Sequence, residues 1–335
     1  MFESLRQSLK TGVVTARYPD TPPEVSNRAR GKPEIDWANW KDARPAAKVC
    51  PTSAIAFADG DGKRTATLDL GKCIFCGLCA EVDSAIRMST KCELAVRSSR
   101  DLQSLARYEL NADGSHERLI EATPGNTPAR GHSSWRGGAS VPASPVLQEF
   151  VARREPRPTD GGLPVSSDQH EPGSFEETGQ RLRRRIDKLF GRSLHIREVD
   201  AGSCNGCEVE IVGLNNPIYD VERFGIHFVA SPRHADLLLV TGPVTRNMEL
   251  ALRKTHEAMP EPRLVVAVGA CGCSGGIFGA NYATLGGVDR VLPVDVYIPG
   301  CPPNPHALLH GILLAVGRVA DTTSSNSEGT HDSGH

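Results

Sequence analysis

The sequence predicts an α/β protein built from two folded segments, a carboxy-terminal doubly wound parallel sheet and a smaller amino-terminal α+β domain. Three observations carry this. After residue 190, short Val- and Leu-rich runs alternate with helical stretches, as buried parallel strands and their crossovers require. The cysteines fall into two groups, one in the first hundred residues and one after residue 200. Between the groups lies a stretch rich in Pro, Gly, Ser and charge, which has too little apolar surface to offset its chain entropy.

At 335 residues the chain is long for one domain and comfortable for two. Its 38 basic and 40 acidic residues give a net charge of -2, without the basic excess of a nucleic-acid binder, so no nucleic-acid partner is expected. No apolar run approaches the roughly 20 residues of a membrane-spanning helix. Residues 1–19 lack the apolar core of a secretory signal, so a cytoplasmic setting is expected. There, reductants keep thiols free, and clustered cysteines read as metal or catalytic sites, not disulfides.

In chain order, residues 1–110 form the first segment. Within it, runs at 54–57 and 65–68 flank Asp59-Gly60-Asp61-Gly62 and predict a hairpin. A calcium loop would need more acidic positions and a terminal Glu. Residues 111–180 read as a flexible linker, with one apolar patch at 146–151 that suggests a helical turn. The second segment spans 181–320. Leu182, Ile186, Leu189 and Phe190 predict an amphipathic helix among Arg181, Arg183, Arg184, Arg185 and Lys188, which suits a partner, an anionic surface or its own domain. Strands are expected at 195–199, 226–229, 237–240, 264–268 and 294–298, with a helix at 246–258. Residues 321–335 read as a disordered tail.

The first cysteine group is Cys73-Ile-Phe-Cys76-Gly-Leu-Cys79, with Cys50-Pro51 upstream. Three thiolates at this spacing hold three corners of a cubane iron–sulfur cluster, and the fourth ligand comes from elsewhere. In two-cluster bacterial ferredoxins the Cys-Pro closing each motif ligates the other cluster, which assigns Cys50 to this one. A complete first motif would add cysteines at 40, 43 and 46, and the second would end at 83. Those positions hold Trp40, Ala43, Ala46 and Asp83. Four ligands of one cluster are missing together while four of the other stand. The segment therefore reads as a ferredoxin-like domain that has shed one [4Fe-4S] cluster. A structural zinc on Cys50, Cys73, Cys76 and Cys79 is the alternative, although zinc sites usually use two separated C-x2-C pairs. Lys10-Thr11-Gly12, Arg30-Gly31-Lys32-Pro33-Glu34, Leu70-Gly71-Lys72-Cys73-Ile74-Phe75-Cys76-Gly77 and Glu93-Leu94-Ala95-Val96 resemble the polyferredoxin subunits of formate hydrogenlyases and related membrane-associated hydrogenases.

The second group is Cys204-Asn-Gly-Cys207, Gly269-Ala270-Cys271 and Pro299-Gly300-Cys301-Pro302-Pro303. Each member follows an expected strand and opens a Gly- or Pro-rich loop, which gathers all four at the carboxyl edge of the sheet, where open α/β sheets place their sites. Glycines there let backbone N–H groups reach cluster sulfurs. Neither a dinucleotide fingerprint nor a P-loop is present, and His227, His234, His256, His306 and His310 show no paired ligand spacing.

These motifs, with Pro232-Arg233-His234-Ala235-Asp236, Thr241-Gly242-Pro243-Val244-Thr245, Ser274-Gly275-Gly276-Ile277-Phe278 and Pro293 through Ile298, resemble the small subunits of formate hydrogenlyases and [NiFe]-hydrogenases and are similar to the B-type subunit of NADH-quinone oxidoreductase. The resemblance implies a flavodoxin-like domain in which Cys204, Cys207, Cys271 and Cys301 bind a proximal [4Fe-4S] cluster. With the first group the chain would carry two clusters. It implies an electron-transfer subunit without a catalytic residue of its own. Its partners would be a hydrogenase- or complex-I-like large subunit, membrane subunits and a redox donor or acceptor, on the cytoplasmic face of the membrane. The B-type subunit of complex I has adjacent cysteines where this chain has C-x2-C, which favours the hydrogenase branch; a complex-I-like quinone-reducing assembly is the competing reading. Cys273 is expected to pack near the cluster without binding it, and Cys92 to be a bland thiol. Glu208 and Glu210 would relay protons, face the partner or cap the following helix.

Overall fold

The computed structural model describes residues 14–18, 23, 25, 29–123, 125, 192–261 and 263–317. The expected helices at 181–190 and 146–151, most of the expected linker and the polar tail lie outside these residues. In the amino-terminal part, strand β1 (Pro33–Ile35) pairs antiparallel with β4 (Ile86–Met88). Between them come helix α1 (Arg44–Val49), strands β2 (Ile55–Gly60) and β3 (Lys63–Asp69), and helix α2 (Leu78–Val82). Strands β2 and β3 form the expected hairpin and continue into a four-stranded antiparallel sheet with β5 (Gln103–Leu110) and β6 (His116–Thr123), in the order β2-β3-β5-β6.

Period-two alternation builds this sheet. Arg64, Ala66 and Leu68 on β3 and Ser104, Ala106 and Tyr108 on β5 point inward. Arg64 is 2% exposed and ionically satisfied, donating to both Asp59 carboxylate oxygens at 2.6 and 2.8 Å and to Asp42 at 3.0 Å. Strand β6 lies where the sequence reading begins the linker. It is an edge strand with mostly exposed side chains and two register shifts, so its sequence carries the polar composition of a loop.

In the carboxy-terminal part five parallel strands stand in the order β11-β10-β9-β7-β8: β7 (Leu194–Asp200), β8 (Ile226–Phe228), β9 (Leu237–Thr241), β10 (Leu264–Val268) and β11 (Val296–Ile298). Counted within this sheet the order is 2-1-3-4-5, the flavodoxin-like arrangement. The central β9 and β10 are buried at every position, as a sheet covered on both faces demands. Helices α3 (Gly206–Gly213), α4 (Arg246–Glu257), α5 (Gly269–Ser274) and α6 (Pro305–Ala315) complete the fold. Asn304 caps α6, accepting from the Ala307 amide at 2.9 Å. Strand β11 starts two residues later than expected because Asp295 turns its carboxylate onto the Val265 amide, 2.9 Å away.

The two parts pack directly. Val96 and Tyr297 exchange both backbone hydrogen bonds, at 3.0 and 2.8 Å. Arg97 donates to the Leu314 carbonyl at 3.2 Å and Ser274 Oγ to the Gly71 carbonyl at 2.9 Å. The Ala16 amide donates to Ile218 at 2.7 Å, and Arg223 holds the Tyr18 carbonyl at 3.0 Å. Leu70 and Leu102 share one hydrophobic core with Cys273, Val288 and Tyr297.

Candidate metal centres

In the amino-terminal part, α1 ends at Cys50, whose extended backbone lets Pro51 turn the chain away. The loop between β3 and α2 carries Cys73 and Cys76, and Cys79 lies in the first turn of α2. All four thiols line one pocket, walled otherwise mainly by apolar side chains including Ile55, Leu68 and Met88. The Ala54 amide donates to Cys50 Sγ at 3.2 Å and the Phe75 amide to Cys73 Sγ at 3.4 Å. Burial pushes the Cys73 thiol up to about 12, opposed by the Phe75 amide, and burial also raises Cys79. Arg30 reaches the loop, donating to the Cys76 carbonyl at 2.5 Å.

Soft thiols buried together carry charge only if a cation joins them, and a bound metal deprotonates its thiols outright. Four soft donors around an apolar cavity, with amides aimed at the sulfurs, therefore suit an iron–sulfur cube. Among the described residues no three Cys, His, Asp or Glu side chains close on a point where one metal ion could sit.

Three of the four positions that lack a second set of cysteines form part of a solid core. Trp40 is 2% exposed, and Ala43 and Ala46 are fully buried. Trp40 Nε1 donates to Asp83 Oδ2 at 2.7 Å, so residues at two of the missing ligand positions bond each other. The indole meets Trp37, Tyr108 and His116 edge-on, with ring centres 5.5, 6.4 and 5.6 Å away. His116 stacks on Tyr108 at 3.8 Å, and its Nδ1 lies 2.8 Å from the Trp40 carbonyl.

The second group collects at the carboxyl edge of the parallel sheet. Cys204 and Cys207 follow β7 and open α3; Cys271 lies in α5 directly after β10, and Cys301 follows β11. Burial pushes Cys271 up to about 11, with Cys301 and Cys204 adding to the effect. Cys207 is raised by burial, then by Glu208 and the other three cysteines, and Cys301 by burial and Cys204. Cys207 and Cys271 are half-buried, and Cys204 and Cys301 lie exposed at the same edge. Two glycines make the cradle. A Cβ on Gly269, at φ +77°, would stand 2.8 Å from Cys207 Sγ, and one on Gly276, at φ +55°, 2.9 Å from Cys271 Sγ. Backbone wraps these sulfurs where a side chain would not fit, which again suits a cluster.

Cys273 is 5% exposed; its Cβ packs near Gly71 and its Sγ lies 3.9 Å from the Ala267 carbonyl. Cys92 is half-buried beside Asn304. Glu208 does not cap α3; its Oε1 accepts from Thr241 Oγ1, while Oε2 is buried without a hydrogen-bond partner. Glu198 stands nearby, raised by burial and then by Glu208 and Asp200. Glu198 has no signal of its own in the sequence, whereas Arg30 and Thr241 open motifs that the sequence reading singled out without giving either residue a role. Exposed apolar side chains accompany the second group, with Val212 at 69% and Phe278 and Tyr282 at 53% and 93%.

Residues 204–315 match the family described as NADH ubiquinone oxidoreductase, 20 Kd subunit. The chain is similar to formate hydrogenlyase subunit 7 of Escherichia coli, 43% identical over 171 residues that cover 51% of this chain and 65% of that one. It is similar to a probable membrane-bound hydrogenase subunit of Pyrococcus furiosus, 48% identical over 144 residues, covering 42% of this chain and 86% of the relative. The B-type subunit of NADH-quinone oxidoreductase from Citrifermentans bemidjiense is 48% identical over 119 residues, covering 36% of this chain and 69% of that one. The chain thus spans just under two thirds of the first relative and most of the second.

Proposed function

Because the chain belongs to the family of the 20 kDa subunit of NADH–ubiquinone oxidoreductase, we propose that it is an electron-transfer subunit of a membrane-associated [NiFe]-hydrogenase or formate-hydrogenlyase-like complex. One observation carries this reading: four thiols, cradled by glycines, meet at the carboxyl edge of a flavodoxin-like sheet with C-x2-C spacing. Cys204, Cys207, Cys271 and Cys301 would hold one [4Fe-4S] cluster, and Cys50, Cys73, Cys76 and Cys79 a second. When bound, such clusters supply one-electron carriage. The chain's own residues do the rest. The amides of Ala54 and Phe75 stabilise sulfur charge, and the Trp40 core fills the space where a further centre would stand.

In this reading the reactive metal belongs to a partner large subunit. The exposed Val212, Phe278 and Tyr282 would be covered by that partner, which also excludes water from the centre. Attachment to the cytoplasmic face of the membrane would run through membrane subunits; among the described residues no helix is long and apolar enough to cross a membrane. The likeness to the B-type subunit of NADH-quinone oxidoreductase supports a second reading, the same electron-carrying role in a quinone-reducing assembly.

Anaerobic purification of the native complex tests both. Iron and acid-labile sulfide for two clusters, with nickel in the copurified large subunit, supports the first reading. The same clusters without nickel, alongside quinone reduction, supports the second, and zinc in place of iron refutes both.

A further inference from the structure

This inference rests on the two-centre reading and concerns what sets the spacing between the centres. Gly71 lies two residues before Cys73, and Ser274 three residues after Cys271. Ser274 Oγ is 2.9 Å from the Gly71 carbonyl and 3.2 Å from the carbonyl of Ala270, the residue preceding Cys271. The same oxygen accepts from the amide of Gly276 at 3.3 Å, and Gly276 is the glycine whose backbone wraps Cys271 Sγ. A single hydroxyl therefore joins the chain beside one metal-binding loop to the chain beside the other. The contact is half-buried: Gly71 and Cys273 are buried while Ser274 is partly exposed, and Cys273 lies in the core that Leu102 and Tyr297 share. The fit is also close, since a Cβ on Gly71 would meet Asp69 Oδ1 at 3.1 Å, Leu102 Cδ1 at 3.2 Å and Cys273 Cβ at 3.7 Å.

We propose that Ser274 is a positioning residue: its hydroxyl, clamped onto Gly71 beside the buried Cys273, fixes the separation of the two metal-binding loops. Exchange of one electron between centres makes and breaks no bond, so separation and the atoms between are what the protein controls. A hydrogen bond between the two loops holds that separation without the looseness of a tethered pair.

The test uses the full-length chain, loaded with iron and sulfide anaerobically and fully reduced, as wild type, Ser274→Ala and Ser274→Thr. Pulsed EPR reads the magnetic interaction between the two clusters, and hydrogen exchange reads the amides of residues 71–73 and 275–276. Ser274→Ala should keep its iron, lose at least half of the mutual relaxation enhancement, and exchange these amides roughly five-fold faster, the value of one neutral hydrogen bond. Ser274→Thr, which keeps the hydroxyl, should behave as wild type. Loss of a centre in Ser274→Ala but not in Ser274→Thr also supports the proposal. Wild-type iron, magnetic interaction and exchange in Ser274→Ala overturn it.

Should both variants lose a centre, the unmutated protein decides. There the two amide sets must open together with one urea dependence, and independent opening overturns the clamp. Iron for only one cluster in the wild type would instead overturn the two-centre reading, and the exchange comparison still judges the clamp.

Discussion

Replacing Trp40 with Ala probes whether the aromatic core beside the first centre is structural. The side chain is 2% exposed, meets three rings edge-on, and donates to Asp83 at 2.7 Å. Truncating a buried Trp costs about 3–5 kcal/mol through lost transfer energy and the cavity left behind. The three edge-to-face pairs, each worth about 0.5–1.5 kcal/mol, place the cost toward the upper end of that range. Against a total stability of about 5–15 kcal/mol this would leave the chain marginal. Trp40→Phe separates the contributions: it keeps a ring in place and loses the N–H, so Asp83 Oδ2 loses its donor while Oδ1 keeps the Ala85 amide, at a cost of about 1 kcal/mol. Urea unfolding followed by far-UV circular dichroism, with both variants prepared anaerobically, measures these differences. A loss below about 1 kcal/mol for Trp40→Ala would mean that the indole is not holding the core, and the account of the filled cluster position would fail with it.

Cys50→Ala and Cys301→Ala should each remove about half of the iron and one of two EPR signals; a variant that keeps both signals would exclude its cysteine as a ligand. Gly276→Ala should empty the second centre alone, because its Cβ would stand 2.9 Å from Cys271 Sγ at a backbone angle that disfavours side chains; full iron in this variant would refute the cradle. Glu34 is held below the usual carboxylate range, first by Lys91 and then by Arg87, with both ion pairs at 2.8 Å. A depressed carboxylate contributes stability above its unfolded value of about 4.3, and that contribution fades as pH falls through the folded value. Glu34→Gln should therefore cost up to about 1 kcal/mol at pH 7 and nothing near pH 2, and a cost independent of pH would contradict the ion-pair account.

Much of the architecture was legible in the sequence because burial leaves periodic marks. Strands β9 and β10 announce themselves as unbroken apolar runs, and the α4 helix and the β2–β3 hairpin fall within a few residues of where the sequence puts them. Strand β6 was illegible for the opposite reason: an edge strand with exposed side chains has the composition of a linker. Absent cysteines at 40, 43, 46 and 83 could be counted, but that Trp40 and Asp83 would bond each other could not be read from spacing. The contact between Gly71 and Ser274 bridges 203 positions and involves residue types that carry no metal chemistry, so no local motif could reveal it. Glu208 was legible as a polar neighbour of Cys207, yet its partner Thr241 comes from another strand.

The exchange of hydrogen bonds between Val96 and Tyr297 has a further consequence. Strand β11 ends the parallel sheet, and an unguarded margin of this kind is a template on which foreign strands add. The amino-terminal part, by docking Val96 there, acts as a gatekeeper for the neighbouring fold. A carboxy-terminal half produced alone would present an open ladder at Tyr297, and self-association through that ladder is the hazard that fusing the two halves removes.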